Sequence, residues 1–200
     1  MCGRYYIEED DMNEMLVDYI RQAADRADSL GIPLLCAGEI RPTNTVPTIA
    51  SGASSRTPGA YPMRWGFSHP TRGMLIFNTR SETVREKPLF AHSIQDRRCA
   101  IPASGYYEWA KGTDGKKERY AFTGEDGGPL LLAGLYLRPT PDALPCFSIL
   151  TRDATPALQA VHGRMPLILP AHRLEDWLSP QHAYETFLET PVTDLVCRKG

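Results

Sequence analysis

Cys2 is the residue whose type and position offer the most distinctive chemistry. The chain begins Met1-Cys2-Gly3-Arg4-Tyr5, and an initiator Met before a small residue is a favourable substrate for methionine aminopeptidase. Removal of Met1 leaves Cys2 with a free α-amine beside its thiol, and their ordinary pKa values of about 8 and about 8.5 leave part of each group nucleophilic at neutral pH. Such a 1,2-aminothiol condenses with an aldehyde to an imine and then closes to a thiazolidine. Taken alone, Cys2 could equally be an ordinary thiol near the terminus.

Two further segments place polar groups on predicted strands. Asn78 and Arg80 are two residues apart, so an amide and a guanidinium share one face if the strand persists. Glu108 lies between large aromatic residues, where desolvation is expected to raise its pKa toward the range useful for proton transfer. Less specialised alternatives are that Asn78 caps a turn and that Glu108 pairs with an arginine.

Two more segments add an imidazole and an indole. His162 and Arg164 flank a glycine just after a predicted helix. Trp65 follows Arg64, and we expect it to be exposed and able to stack on a nucleobase or a sugar. The alternatives are that His162 caps a helix and that Trp65 is a core residue.

Length and composition limit the class of protein. The 200 residues, 42% of them apolar, suit a single domain over residues 1–200 that buries most of its unfolded surface. The five cysteines form no CxxC pair or zinc-ligand cluster, which favours a reducing cytoplasm and predicts neither a metal nor a cofactor. No basic-then-apolar leader and no run of 18 apolar residues occurs, so we expect no membrane association.

Charge is distributed unevenly along the chain. The net charge of −2 argues against indiscriminate binding of nucleic acid. Residues 56–119, however, contain twelve basic and six acidic side chains. A groove of modest positive potential could be built from this stretch, although a normally solvated surface is the simpler explanation.

The elements that must position these groups follow from the pattern of apolar residues. Spacings of three and four predict an amphipathic helix over residues 10–30, ended by Gly31. Residues 39–47 are expected to form a structured loop that leads into a short strand at 48–50. Further helices are predicted at residues 82–90, interrupted by Pro88, and at 156–161, 173–178 and 182–188. Strands are predicted at residues 3–7, 61–67, 75–78, 98–102, 105–110, 120–123, 130–137 and 146–151.

This order of elements indicates an α+β fold. Many short strands without βαβ alternation predict a β-rich, curled or barrel-like sheet with peripheral helices packed outside it. No internal repeat and no domain boundary is evident. With no apolar segment left unassigned, we expect a monomer.

Seven motifs, in one order, resemble the SRAP family, the SOS-response-associated peptidases or abasic-site processing proteins. They lie at residues 2–4 (CGR), 41–47 (RPTNTVP), 64–66 (RWG), 78–83 (NTRSET), 101–109 (IPASGYYEW), 133–136 (AGLY) and 162–166 (HGRMP). The chain departs from the family pattern at four positions. Arg41 and Thr79 stand where Ala is common, Ser104 where Asp or Asn is common, and Gly163 where Asp or Glu is common.

The resemblance implies covalent capture of abasic sites in single-stranded DNA. The ring-opened abasic sugar presents the aldehyde that a 1,2-aminothiol traps, so Cys2 would form a thiazolidine cross-link. By motif, Asn78 would orient the Cys2 amine, and Glu108 and His162 would move protons. The implied DNA contacts are phosphate binding by Arg4, Arg80 and Arg164, stacking by Trp65 and shaping of the groove by Pro42. Such a protein would act in the cytoplasm, associated with the nucleoid, during the DNA-damage (SOS) response.

Two other functions remain open on the sequence. Cys2 could attack an amide instead, as in an N-terminal-nucleophile cysteine peptidase that processes its own Met1, with the α-amine as base and an oxyanion hole. A non-covalent single-strand binder is the third reading, and it would need neither a free amine nor Glu108 with His162.

Overall fold

The computed structural model describes residues 2–51, 57–69, 73–138, 140, 143–189 and 194–200. Met1, Arg56 and Arg72 lie outside these ranges. The α-helices are α1 (Glu14–Leu30), α2 (Pro88–Ala91), α3 (Ser93–Asp96), α4 (Leu174–Leu178) and α5 (Glu185–Glu189). The strands are β1 (Arg4–Ile7), β2 (Gly38–Ile40), β3 (Thr45–Ser51), β4 (Pro58–Trp65), β5 (Phe67–Ser68), β6 (Leu75–Ile76), β7 (Asn78–Arg80), β8 (Arg98–Ala103), β9 (Gly105–Lys111), β10 (Lys117–Gly124), β11 (Leu130–Leu137), β12 (Cys146–Asp153), β13 (Arg164–Pro166), β14 (Ile168–Leu169) and β15 (Leu195–Lys199).

Two large sheets organise these strands. A ring-like sheet runs β13-β12-β4-β3-β8-β11-β14, and β11 also pairs with β12. The β4–β12 pairing covers two residue pairs, so the ring is not closed along the whole length of its strands. The second sheet runs β15-β10-β9-β1-β2. Helix α1 packs against β3 and β4, and α4 packs against β8. The predicted α+β fold, with a β-rich curled sheet and peripheral helices, is confirmed.

Helix α1 forms where its apolar spacing predicts it. The Asn13 side chain accepts a hydrogen bond from the Leu16 backbone N–H at 3.0 Å, which caps the first turn. Gly31, at a φ of 65°, ends the helix in the left-handed conformation that glycine adopts without strain. Leu16, Ala23 and Ala27 are its buried residues. The predicted start at residue 10 is early, because residues 9–11 form a separate 3₁₀ turn.

Three predicted elements differ in the structure. The expected loop at 39–47 is partly strand, because β2 and β3 extend into it. Pro47 lies opposite Pro62 in the β3–β4 ladder, so the two prolines, which both lack an N–H group, share one position of the ladder. The expected helix at 82–90 is a 3₁₀ turn followed by α2, which begins at Pro88. Residues 156–161 form hydrogen-bonded turns instead of a helix.

Trp65 lies in the centre of the core. Its side chain is fully buried, with ring centroids 5.2 Å from Tyr5 and 6.3 Å from Phe147. Its indole Nε1–H donates to the Phe77 carbonyl at 2.9 Å. The expectation of an exposed stacking residue is therefore wrong. Residues alternate along β4, and the exposed position belongs to Arg64.

We expect Trp65→Ala to destabilise the fold, because it opens a large cavity in a close-packed core. The free energy of unfolding should fall by about 3–5 kcal/mol. Urea denaturation followed by circular dichroism measures this loss. Trp109→Ala is the matched control, since Trp109 is only partly buried. Equal stability of both variants would contradict the core assignment.

No helix within the described ranges combines the length and apolarity that crossing a membrane requires.

Candidate active site around Cys2

Cys2 is buried at the entrance to β1. Its relative exposure is 0%, and its Sγ–H donates to the Arg4 carbonyl at 3.7 Å. Strand β1 lies between β2 and β9, with Tyr5 opposite Tyr106. The second sheet thereby fixes the backbone immediately after Cys2.

Burial changes the acidity of this thiol. Loss of solvent raises the pKa of the Cys2 thiol far above its usual range, and the negative charge of Glu108 raises it further. The thiol is therefore protonated at neutral pH. The expectation that part of the Cys2 thiol is nucleophilic at neutral pH used the pKa of an exposed cysteine, and burial shifts that pKa upward.

Asn78 holds the backbone of Cys2. It begins β7, which pairs in parallel with β12 at Ile149. The Asn78 Nδ2–H donates to the Cys2 carbonyl at 2.7 Å. Its Oδ1 is buried and accepts no hydrogen bond from any residue that the structure describes. One end of the amide thus fixes Cys2, and the other offers an acceptor.

Glu108 and His162 come from different sheets and meet beside Cys2. Glu108 is 4% exposed on β9, on the face opposite Tyr107 and Trp109. His162 precedes β13, and its Nδ1 lies 4.0 Å from the Glu108 Oε1. The negative charge of Glu108 acts on the Cys2 thiol, which places Glu108, and with it His162, near Cys2. The structure therefore brings together Cys2, Asn78, Glu108 and His162.

Arg164 contacts the His162 ring through its backbone. The Arg164 N–H donates to His162 Nδ1 at 2.9 Å, and the Arg164 carbonyl lies 3.2 Å from the same nitrogen. The His162 side chain is 33% exposed, so the ring can meet a molecule entering from solvent.

Arg164 is engaged by carboxylates. Its guanidinium donates to Glu82 at 2.7 and 2.9 Å, to Asp153 at 2.6 Å and to the Thr151 carbonyl at 2.7 Å. Burial alone would raise the pKa of Glu82, but the bonds from Arg164 outweigh it and the pKa of Glu82 is lowered. A phosphate at Arg164 must compete with two carboxylates.

The other predicted DNA contacts differ in exposure. Arg4 pairs with Glu39 at 3.0 Å and lies 5.1 Å above the Trp109 ring. Arg80 is exposed and forms no ion pair within the described part of the chain. Pro42 is partly buried in a turn after β2. In that turn Thr43 has a φ of 84°, rare for a β-branched residue, and its N–H donates to the Trp65 carbonyl.

Sequence reasoning missed two acidic residues of the site. Asp153 lies directly across from Arg164 in the β12–β13 ladder, and Glu39 contacts three arginines. Neither residue falls in a motif that marks a charge partner. The signal would have been the pairing of strands, which the sequence does not specify.

Comparisons with known proteins give the relationships of the chain. The family model "SOS response associated peptidase (SRAP)" matches residues 1–198. "Abasic site processing protein YoqW" of Bacillus subtilis is 28% identical over 201 residues, covering 95% of this chain and 85% of that protein. "Abasic site processing protein HMCES" of Rattus norvegicus is 30% identical over 156 residues, covering 59% of this chain and 44% of that protein.

A solved structure shares the fold of the chain. A protein from Bacteroides thetaiotaomicron superimposes with a TM-score of 0.78 at 22% identity, covering 99% of this chain and 91% of that one. The family model extends over nearly the whole length of the sequence, and the motif residues Cys2, Asn78, Glu108 and His162 meet in one cluster. The chain belongs to the SRAP family.

Proposed function

We propose that this chain processes abasic sites in DNA and captures them in single strands through a covalent thiazolidine bond to Cys2 after Met1 is removed. The observation that carries the proposal is the Asn78 amide: it holds the Cys2 carbonyl at 2.7 Å and leaves a buried acceptor beside the chain terminus. The names of the relatives YoqW and HMCES, abasic site processing proteins, support the substrate. We further propose that residues 1–200 act as one domain, as a monomer, in the cytoplasm near the nucleoid.

The reaction proceeds through addition, dehydration and ring closure. The neutral Cys2 amine attacks the aldehyde carbon of the ring-opened deoxyribose, and the carbinolamine loses one water to form an imine. The sulfur then bonds to the imine carbon while the thiol proton is transferred to the nitrogen. The amine makes the first attack, so the raised pKa of the thiol does not block the reaction. Instead, burial keeps the sulfur as a protonated thiol until the imine has formed.

Glu108 and His162 are assigned the proton transfers. Glu108 accepts a proton from the amine or the thiol and returns it to the departing hydroxyl or to the ring nitrogen. His162, held in place by its contacts with the Arg164 backbone, donates to the sugar ring oxygen as the aldehyde opens. Asn78 Oδ1, which accepts no hydrogen bond from the described residues, is assigned to accept one from the Cys2 amine once Met1 is removed and so to orient the amine lone pair toward the aldehyde.

Phosphate contacts are assigned to Arg4, Arg80 and Arg164. Arg80 is the exposed member of the three. Arg4 and Arg164 are paired with Glu39 and Glu82, and each would exchange a carboxylate for a phosphate when DNA binds. The Pro42 turn shapes the edge of the groove. Trp65 has no role in stacking, because no base can reach a fully buried indole.

Burial of Cys2 argues against the peptidase alternative. Attack on an amide begins with the sulfur as a thiolate, and both burial and the negative charge of Glu108 raise the pKa of the thiol and oppose that form. Capture of an aldehyde begins with the amine and avoids this obstacle. A peptide substrate would also need donors for its oxyanion.

A denaturing gel tests the proposal. Protein is incubated with single-stranded DNA that contains one uracil and has been treated with uracil glycosylase. A parallel sample contains the same strand without the treatment. A heat-stable shifted band that requires the abasic site, and that Cys2→Ala abolishes, is expected. A band with Cys2→Ala, or none with the parental protein after Met1 removal, would overturn the proposal.

We expect charge reversal at Arg80 to weaken DNA binding in a salt-dependent way. Each phosphate contact on a single strand contributes about 0.7 to the slope of log affinity against log salt. Arg80→Glu should therefore lower the slope by about 0.7 in fluorescence anisotropy. Arg21 is an exposed arginine on α1, so Arg21→Glu is the control. It should change neither the DNA affinity nor the salt slope. An affinity loss with an unchanged slope would count against phosphate contact.

A further inference from the structure

The second sheet presents arginines and aromatic residues on its outward face. We call the group Arg4, Glu39, Arg41, Tyr107, Trp109 and Arg119 the arginine–aromatic face. Arg4 is opposite Tyr107 in the β1–β9 ladder, and Arg119 is opposite Trp109 in the β9–β10 ladder. Directly paired residues project to the same side of a sheet. These side chains are therefore neighbours on the side away from Glu108.

Glu39 holds three of these cations. Its Oε1 lies 3.0 Å from Arg4 Nη1 and 2.9 Å from Arg41 Nη2, and its Oε2 lies 3.9 Å from Arg119 Nη1. One carboxylate cannot neutralise three guanidinium groups. The Arg41 and Arg119 side chains are 61% and 43% exposed, so positive charge remains accessible at this surface.

Aromatic rings hold two of the guanidinium groups in place. Arg4 lies 5.1 Å above the Trp109 ring, and Arg119 lies 4.7 Å above the Tyr107 ring. An arginine already restrained by a ring and a carboxylate loses less conformational entropy when it binds an anion. The face is thus partly ordered for a ligand before the ligand arrives.

The charges around the face give it a direction. Lys111 and Lys117 pair with each other at the hairpin end of β9 and β10. Near Tyr6 the charges are those of the acidic Glu8 and Asp11 together with the basic Arg198. A polyanion would therefore run from Arg4 across Arg119 toward Lys111 and Lys117.

We propose that the arginine–aromatic face binds the backbone of the single-stranded DNA that flanks the lesion, with Arg41 and Arg119 as phosphate ligands. The inference rests on the proposed function, because it extends the strand that Arg4 holds beside Cys2. Exposed cations interleaved with aromatic rings are typical of surfaces that bind single strands.

Fluorescence anisotropy with a lesion-free single strand of about 20 nucleotides tests this surface without any cross-linking. The double variant Arg41→Ala/Arg119→Ala should bind about tenfold more weakly at low salt, and its salt slope should fall by about 1.4 for two lost phosphate contacts. Arg173→Ala is the matched control, since Arg173 also lies over a ring, that of Phe187, and contacts one carboxylate, Asp176. It should bind like the parental protein.

Glu39→Gln provides a second variant with little risk to the fold. The amide keeps an acceptor for the arginines and removes the negative charge that opposes a phosphate. It should bind the same strand about threefold more tightly at low salt, and the gain should vanish at high salt. Unchanged or weaker binding by Glu39→Gln, or parental binding by the double arginine variant, would overturn the inference.

Two controls separate this inference from others. An oligoglutamate of equal charge should compete poorly with the DNA, and equal competition would overturn the nucleic-acid assignment in favour of a general polyanion surface. Failure of the proposed function would appear as no abasic-dependent adduct on the denaturing gel. The anisotropy measurement uses lesion-free DNA, so it would still test DNA binding by the arginine–aromatic face after such a result.

Discussion

Protein that keeps Met1 before Cys2 is expected to form no heat-stable adduct with abasic single-stranded DNA. A retained Met1 converts the Cys2 amine into a peptide nitrogen, whose lone pair is delocalised into the carbonyl and cannot condense with an aldehyde. The remaining thiol could form only a reversible hemithioacetal. Because burial keeps that thiol protonated, even this reaction should be slow.

The measurement needs both forms of the N-terminus. Intact-mass spectrometry identifies protein with and without Met1, and a denaturing gel then scores each form on abasic and intact strands. The two forms should share the same circular dichroism and the same affinity for lesion-free DNA, since the arginines proposed to bind phosphate are unchanged. A heat-stable adduct from verified Met1-bearing protein would show that the reacting amine is not that of Cys2.

The local elements of the fold could be predicted because their signals are local. The spacing of apolar residues predicts α1, and the run at 130–137 coincides with β11 (Leu130–Leu137). The structure of residues 39–47 was harder to predict, because prolines usually indicate a loop. In the structure, Pro47 of this segment lies in a strand and faces Pro62 in the β3–β4 ladder. Whether two prolines coincide depends on register, which long-range pairing determines.

The sequence motifs name the members of the candidate site, but they do not give its environment. Alternation along β9 separates Glu108 from Tyr107 and Trp109, and that separation follows from the sequence. Burial of Cys2 does not follow from the sequence, because it depends on β7 bringing Asn78 across from β12. Trp65 shows the same limit: its neighbour Arg64 suggested a solvent-exposed surface, whereas the indole is buried against the rings of Tyr5 and Phe147.

The expected effect of Glu108→Gln is a loss of cross-linking rate of about 10²- to 10⁴-fold, with the fold retained. The amide has nearly the shape of the carboxylate, so the buried position on β9 remains filled. It cannot, however, accept and return the proton that amine addition, dehydration and ring closure require. Single-turnover cross-linking of the Met1-free protein, sampled by denaturing gel, measures the rate.

An alkylation experiment separates this proton-transfer role from a purely electrostatic one. The charge of Glu108 raises the pKa of the Cys2 thiol, so its removal in Glu108→Gln should lower that pKa and increase the thiolate fraction at a given pH. Alkylation of Cys2, followed by mass spectrometry of the N-terminal peptide, should therefore be faster in the variant while cross-linking is slower. These opposite changes are expected only if Glu108 moves protons during capture. If both rates rose together, the carboxylate would be acting on the thiol by charge alone, and the catalytic assignment of Glu108 would be wrong.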